Sequence, residues 1–180
     1  MYEHTYPDKR FRLTTAFVKK HIPVSRHILD LGITNPLAEI MRREGYNVTN
    51  TRGEDLDTDH SALQQSQYDV VTAFEIFEHL LNPFTVLQNI TAKALVVSVP
   101  LRLWFAPAYR SKTDLRDRHY HEFEDWQFDW LLEKTGWKIV DRVYFTNPVS
   151  KLGIRPLLRR FTPRYYLVYA VKNESCSDTQ

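Results

Sequence analysis

Residues 68–83 read Tyr68-Asp-Val-Val-Thr-Ala-Phe-Glu-Ile-Phe-Glu-His-Leu-Leu-Asn-Pro83, and this stretch decides the fold. Its first half is apolar without clean alternation, which is typical of a parallel strand covered on both faces. Its end, Asn82-Pro83, combines an N-cap with proline at the first helical position. A strand, a polar turn and a capped helix in this order predict one βα unit of a doubly wound sheet.

Two other apolar runs extend this unit in both directions. Residues 27–33 read His27-Ile-Leu-Asp-Leu-Gly-Ile33, and residues 94–100 read Ala94-Leu-Val-Val-Ser-Val-Pro100. Asn35-Pro36 opens a helix after the first run, and Gly45 closes it. Residues 46–51 then predict a further strand. We therefore expect an α/β fold: a doubly wound, mostly parallel sheet with helices on both faces.

The remaining sequence predicts how the sheet ends. Helical patterns cover residues 11–21 and 125–135, and strands are predicted over 137–145 and 165–171. The linker between these two strands contains three prolines and at most a short basic helix near 155–160. Without a long crossover helix, the final strand is expected to be antiparallel. We expect one domain over residues 1–180.

Composition excludes some classes of protein. Hydrophobic residues make up 43% and charged residues 26%, and the net charge of +2 is too small to indicate nucleic acid. Cys176 is the single cysteine, so no internal disulfide can form. No apolar run approaches the ~20 residues of a membrane span, and the polar first ten residues do not predict a signal peptide. These features predict a cytoplasmic protein and leave its oligomeric state open.

Four segments resemble the class I S-adenosylmethionine-dependent methyltransferases. Residues 27–32 resemble the first motif of that family, a strand ending in Asp-x-Gly, and residues 68–83 resemble its fourth strand with the Glu-His-Leu segment that follows. Residues 95–100 are similar to its fifth strand with a terminal proline. His119-Tyr-His-Glu-Phe123, followed by a helix and Thr135-Gly-Trp137, is similar to a later region. The resemblance spans roughly residues 11 to 172.

The resemblance implies a Rossmann-like fold with S-adenosyl-L-methionine as cofactor, bound at the carboxyl ends of the strands. It implies methyl transfer to an O, N or C acceptor on a small molecule or glycan, whereas nucleic acid is a less favoured partner. His79, His121 and Glu78 are the predicted catalytic residues facing the acceptor. The predicted cofactor-binding residues are Asp30, Gly32, Thr51, Asp55, Phe74 and Glu75.

The sequence departs from the family in its cofactor half. After Gly32 the family continues with further glycines, whereas this chain continues Ile33-Thr-Asn-Pro36. The acid that holds the ribose hydroxyls is replaced by Thr51-Arg52, so that Asp55 or Asp57 would have to take its role. These departures leave open a non-catalytic methyltransferase-like domain used for binding or assembly.

The chain is also short between its second and third predicted strands. Only residues 52–67 remain there, which is enough for one short crossover but not for a helix, a strand and a second helix. We therefore predict a sheet that lacks about one βαβ step of the full family fold.

Glu75-Ile-Phe-Glu78-His79 places three polar side chains within one helical turn. Carboxylates and an imidazole are ligands of Mg²⁺, Mn²⁺ or Zn²⁺, and His121 would be a fourth ligand. The motif is similar to the metal site of small-RNA 2′-O-methyltransferases, so a metal-assisted RNA 2′-O-methyltransferase is an alternative. The favoured prediction assigns no metal, and His119 is a further candidate for contact with the substrate.

Residues 151–164 form a basic cluster of five Lys and Arg residues without an acid. Such a cluster is able to contact phosphate or an anionic substrate. A solvated surface is the more common explanation.

Overall fold

The computed structural model describes residues 8–146 and 152–173, so Cys176 and Lys151 lie outside the described residues. The strands are β1 (His27–Asp30), β2 (Asn47–Asn50), β3 (Val70–Phe74), β4 (Ala94–Pro100), β5 (Trp137–Phe145) and β6 (Tyr165–Lys172). The helices are α1 (Asp8–His21), α2 (Pro36–Arg43), α3 (Pro83–Asn89), α4 (Asp125–Lys134) and α5 (Ile154–Phe161). A 3₁₀ turn covers Phe77–His79.

The strands form one sheet in the order β2-β1-β3-β4-β6-β5. The first four strands are parallel, and β6 is antiparallel to both of its neighbours. This arrangement confirms the predicted α/β fold class with an antiparallel final strand. The bounds of β4 and β5 match the prediction, whereas β1 ends three residues earlier than predicted.

The connection from β2 to β3 is reduced to turns. Residues 51–69 contain neither a helix nor a strand, and they cross β1 to reach β3. The predicted trimmed step is therefore confirmed, but the crossover lacks even the short helix for which its length left room. Leu56 and Leu63 from these turns are buried and take the place of a helix on that face of the sheet.

The sheet separates two hydrophobic clusters, as helices on both faces require. Ile28, Val70 and Val96 pack against α1 and α2. The neighbouring residues of the same strands, such as Leu29 and Val71, pack on the other face with α3 and α4. Successive side chains of a strand point to opposite faces, which explains why these strands are apolar at every position.

The predicted caps determine where the helices begin. The Asn35 side chain accepts hydrogen bonds from the backbone N–H groups of Leu37 and Ala38, both at 3.0 Å. Asn82 accepts a hydrogen bond from the N–H of Thr85 at 3.3 Å. Each Asn-Pro pair therefore starts a helix directly after the turn that follows a parallel strand, and this places both turns at the carboxyl edge of the sheet.

Candidate functional site

Asp30 closes β1 with a side chain that is almost completely buried. One carboxylate oxygen accepts a hydrogen bond from the Thr72 hydroxyl at 2.6 Å, and the other accepts from the Asn50 amide at 2.9 Å and from Asn35 at 3.4 Å. Burial raises the pKa of Asp30 to about 6, although these hydrogen bonds oppose the shift. The carboxylate therefore ties three segments of the carboxyl edge together.

Gly32 has a conformation and a neighbourhood that suit glycine. Its φ is +101°, and a Cβ atom there would lie 3.3 Å from Cδ1 of Ile76. Its N–H donates to the Thr51 hydroxyl at 2.7 Å, and its carbonyl accepts from the Asn50 amide at 3.1 Å. The side chains at the end of β2 thus hold the turn after β1.

The acids that follow β2 are engaged in local structure. Asp57 accepts hydrogen bonds from the N–H groups of Leu81 and Asn82, at 2.9 and 2.7 Å. Asp55 accepts a hydrogen bond from the N–H of Asp57 at 3.1 Å through one of its two oxygens. Asp57 therefore supports the start of α3, and Asp55 keeps one carboxylate oxygen without such a role.

Ile33 lies between the turns after β1 and β2. A Cβ atom on Gly53 would lie 3.2 Å from Cγ2 of Ile33, so the isoleucine side chain contacts the turn in which the family places its ribose acid. Arg52 is exposed in that turn. The Ile33 side chain therefore occupies space beside this turn, and Arg52 places a positive charge in a turn that also contains Glu54 and Asp55.

Glu75 follows Phe74 at the end of β3 and is the one described non-glycine residue with a positive φ, at 58°. Such a backbone conformation is uncommon and favours a sharp turn. Its carboxylate accepts from the Ser98 hydroxyl at 2.7 Å and lies 3.6 Å from the Arg10 guanidinium of α1. Burial raises the pKa of Glu75, and the positive charge of Arg10 offsets part of the shift.

Glu78 is only 1% exposed, and its Oε2 atom has no hydrogen-bond partner among the described residues. Its Oε1 atom lies 3.7 Å from Nε2 of His79. Burial raises the pKa of Glu78 well above its usual value, and the negative charge of Glu75 raises it further. Glu78 is thus a buried acid without a full set of partners, which often marks a functional group.

The loop at residues 118–121 is hydrogen-bonded to the 3₁₀ turn through both Glu78 and His79. The N–H groups of Tyr120 and His121 donate to the Glu78 carbonyl at 2.8 and 3.2 Å. His79 Nδ1 lies 3.0 Å from the Arg118 carbonyl, and because a carbonyl can only accept, this nitrogen is the hydrogen-bond donor. The loop is therefore held against the 3₁₀ turn by three hydrogen bonds, which involve the backbone of Arg118, Tyr120 and His121.

His119 completes this group of side chains. Its ring meets that of His79 edge to face at 4.8 Å, and its Nδ1 atom is buried without a partner among the described residues. Burial, followed by the charge of His79, lowers the pKa of His119 to about 4, so its imidazole is neutral at pH 7. His121 instead stacks on Phe123 and has Nε2 3.4 Å from the Leu81 carbonyl.

Glu78, His79 and His119 offer one ligand atom each, and these atoms all lie within 4.8 Å of one another. An oxygen and two imidazole nitrogens suit a divalent transition ion. The sequence suggested Glu75 and His121 as the further ligands beside Glu78 and His79. In the structure the third ligand atom beside these two residues comes from His119. Glu75 is turned to Ser98 and Arg10, and His121 to Leu81.

Comparisons with known proteins agree with this architecture. The model of a family described as a methyltransferase domain matches residues 2–142, well over half of the chain. The chain belongs to this family. Membership confirms the predicted family, the methyltransferase class of enzyme and S-adenosylmethionine as its cofactor.

Solved structures of methyltransferases share the fold. An S-adenosylmethionine-dependent methyltransferase from Archaeoglobus fulgidus is 17% identical with a TM-score of 0.60, covering 90% of this chain and 94% of that one. The 1,6-didemethyltoxoflavin-N1-methyltransferase of Burkholderia thailandensis is 16% identical with a TM-score of 0.60, covering 91% and 78%. One from Mesorhizobium loti is 16% identical with a TM-score of 0.55, covering 87% and 96%. A search of curated protein sequences found no match.

The turns after β1 and β3 fit the cofactor of this family, whereas the turn after β2 fits it less well. Gly32 allows a close approach of the backbone that a Cβ atom, 3.3 Å from Ile76, would crowd, and the Glu75 carboxylate, held by Ser98 and Arg10, lies at the same edge. After β2 the Ile33 side chain contacts the turn, and Thr51-Arg52 stands where the family pattern has its ribose acid, so that the nearest acids, such as Asp55, lie further along the chain. The roles of the predicted cofactor residues stay predictions.

Sequence reasoning missed two contributors to the site. Arg10 lies 65 residues before Glu75 in the chain, and nothing in the helical pattern of α1 indicates that it turns towards the sheet. Asn50 holds Asp30 and Gly32 together, but an asparagine at the end of a strand is usually a turn residue.

Among the described residues no helix is long and apolar enough to cross a membrane.

Proposed function

We propose that the methyltransferase, as a single domain over residues 1–180, transfers a methyl group from S-adenosylmethionine to an O, N or C acceptor on a small molecule or glycan. The single observation that carries the proposal is the group formed by Glu78, His79 and His119 beside the cofactor turns. Two of its buried polar atoms have no partner among the described residues. Unpartnered buried groups of this kind are expected where a substrate supplies the missing hydrogen bonds.

The cofactor supplies a sulfonium methyl group, which an acceptor displaces directly. The protein then has to align the acceptor and, where it carries a proton, remove that proton. Glu78 suits the second task because its raised pKa makes its carboxylate a stronger base than an exposed glutamate. His79 and His121, on the 3₁₀ turn and the loop that covers it, are the proposed contacts of the acceptor.

In this proposal the cofactor binds at the turns after β1, β2 and β3, and the backbone at Gly32 is its main contact. Thr51 holds the turn that contains Gly32, and Asp30 ties that turn to β3 through Thr72. In this proposal the ligand lies against Gly32, and Phe74 and Glu75 contact it from the end of β3. Asp55, which keeps one oxygen without a local role, is the proposed replacement for the ribose acid. We place the enzyme in the cytoplasm, since its lone cysteine suits a reducing compartment.

A methyl-transfer screen tests the proposal. Purified protein is incubated with S-adenosylmethionine and separate panels of phenols, amines and sugars, and S-adenosylhomocysteine is quantified by mass spectrometry. We expect one panel to give turnover that Glu78→Gln lowers roughly a hundredfold or more. Glu133→Gln, an exposed glutamate on α4, is the control and should keep full activity. Equal activity of the two variants would contradict the role of Glu78, and cofactor binding without turnover in any panel would favour the non-catalytic alternative.

Metal-assisted methyl transfer is the second candidate function, and the short distances among Glu78, His79 and His119 favour it. A bound cation would lower the pKa of an acceptor hydroxyl and would suit an RNA 2′-hydroxyl or a small-molecule hydroxyl. Activity should then fall on chelation and return with Mn²⁺ or Zn²⁺. His119→Ala should remove the metal dependence and His121→Ala should keep it. Activity unchanged by a chelator would exclude this candidate, and absence of RNA binding at low salt would exclude RNA as its acceptor.

A further inference from the structure

Helix α5 presents Ile154, Leu157 and Phe161 to solvent, whereas its Leu158 is half-buried. Residue by residue it reads Ile154-Arg-Pro-Leu-Leu-Arg-Arg-Phe161, and none of the eight residues is buried. Ile154 and Phe161 are each 79% exposed and Leu157 is 56% exposed. Leu152, just before the helix, is fully exposed. At 100° per residue the apolar positions of α5 fall on one face, which therefore lacks a partner in the described part of the chain.

Arginines border this apolar face on both sides. Arg155 and Arg160 lie about 100° or more from the centre of the face in opposite directions, and both are exposed. Arg159 lies opposite the face and is turned inward, since its Nε atom is buried. Residues 152–173 contain no Asp or Glu that would neutralise these charges locally. The segment thus combines an exposed apolar face with an uncompensated positive border.

The apolar face and its arginine border indicate which of two partners covers α5, a second copy of the chain or a lipid surface. A second copy of the chain would bring the arginines of two α5 helices close together, and this segment offers no acid to pair with them. An anionic phospholipid surface complements both features, because acyl chains accept the apolar side chains while headgroup phosphates pair with Arg155 and Arg160.

We propose that α5, together with Leu152, docks the protein in the plane of an anionic phospholipid surface. Ile154, Leu157 and Phe161 insert at the level of the headgroups, and Arg155 and Arg160 bind phosphates on either side. The inference concerns attachment to a surface and not a span, and it does not depend on the proposed methyl transfer.

The helix leads into the edge of the sheet that carries the candidate site. Arg164, three residues after α5, accepts a hydrogen bond from the N–H of Leu101 at 2.7 Å through its carbonyl, and its guanidinium donates to the Leu101 carbonyl. Leu101 directly follows β4 and thus lies at the carboxyl edge. A protein docked through α5 would therefore hold this edge close to the lipid surface.

Vesicle co-sedimentation of the full chain tests the inference. Vesicles of phosphatidylcholine with 30% phosphatidylserine are compared with pure phosphatidylcholine at low salt and at 0.5 M NaCl. We expect the protein to bind the anionic vesicles at least tenfold more tightly than the neutral ones, and added salt to weaken that binding. No sedimentation, or equal binding to both vesicles, would overturn the proposal.

Paired variants separate the two parts of the surface. Leu157→Ser with Phe161→Ser should reduce binding at least tenfold, and Arg155→Gln with Arg160→Gln should reduce it roughly thirtyfold. Leu115→Ser and Lys138→Gln change exposed residues elsewhere and should bind as the unaltered protein does. Circular dichroism checks that each variant is folded. Binding that survives both pairs would contradict the assignment to α5. A dimer in light scattering that Leu157→Ser dissociates would assign the face to a second copy instead.

Discussion

The turns after β1 and β3 lie at the same edge of the sheet, but the buried carboxylates of Asp30 and Glu78 differ in their hydrogen bonding. Asp30 has hydrogen-bond donors on both oxygens, and these donors come from three segments of the chain. Glu78 is equally buried, yet its Oε2 atom has no partner among the described residues. The difference indicates that the cofactor half uses its acid to maintain the fold, whereas the β3 half keeps its acid available for chemistry.

The titration of Asp30 gives the largest effect expected from this comparison. Its pKa is about 6 in the folded protein against a usual 3.8, so its stabilising contribution is complete below pH 3.8 and is lost as the pH rises through 6. The unfolding free energy of the unaltered protein minus that of Asp30→Ala should fall by about 3 kcal/mol between pH 3.5 and pH 7. Urea titrations across that range measure the difference.

The exposed Thr113→Ala variant is the control for this experiment, because it removes no titratable group and its difference from the unaltered protein should not depend on pH. A difference for Asp30→Ala that stays constant would show that folding leaves the pKa of Asp30 unshifted, and a difference that grows with pH would show that its carboxylate is stabilised as a charge.

Glu78→Gln tests the second carboxylate of this comparison. The substitution replaces a buried carboxyl group whose ionisation is opposed by burial and by the charge of Glu75, so we expect the unfolding free energy at pH 8 to rise by about 2 kcal/mol while activity is lost. Thermal and urea unfolding measure the stability. Glu133→Gln should stay within about 0.5 kcal/mol of the unaltered protein. A marked loss of stability in Glu78→Gln would make Glu78 a structural residue.

Paired aspartate variants test which acid serves the ribose. Asp55→Ala should weaken S-adenosylhomocysteine binding about tenfold, because it removes the acid proposed to bind the ribose hydroxyls. Asp57→Ala should leave that affinity unchanged and cost about 1 kcal/mol of stability, since it removes a support of α3. Calorimetric titration and urea unfolding measure the two effects, and the opposite pattern would exchange the roles of the two acids.

Thr51→Val gives the smallest expected effect. It removes the acceptor of the Gly32 N–H while keeping the shape of the side chain, and this should cost about 1 kcal/mol of stability. Thr113→Val changes an exposed residue and should have no measurable effect. A Thr51→Val protein as stable as the Thr113→Val control would show that the turn after β1 does not need this hydrogen bond.

The sequence predicted those parts of the structure that depend on local signals. Asn35-Pro36 and Asn82-Pro83 start helices because an N-cap and a proline act within four residues. The apolar strands were recognisable because burial on both faces removes polar positions. The short interval before β3 predicted the missing step, but it did not reveal that turns alone would replace the helix.

The arrangement of the site depends on contacts that local patterns do not encode. Glu78 and His119 are 41 positions apart, and the loop with His119 is held by hydrogen bonds to the Glu78 carbonyl. Two histidines in residues 119–121 suggested contact with substrate, but their side chains diverge because one ring turns to His79 and the other to Phe123. Likewise, the sequence identified Asp55 and Asp57 as candidates without indicating that Asp57 supports α3.

The most direct test of the account is the binding of cofactor by a turn that has kept a single glycine. Isothermal titration with S-adenosylhomocysteine should give saturable binding at one site per chain. Gly32→Val should abolish it, because a side chain there is strained at φ +101° and meets Ile76. Circular dichroism would show that the variant is folded. Absence of binding at millimolar ligand, or equal binding by Gly32→Val, would contradict the account.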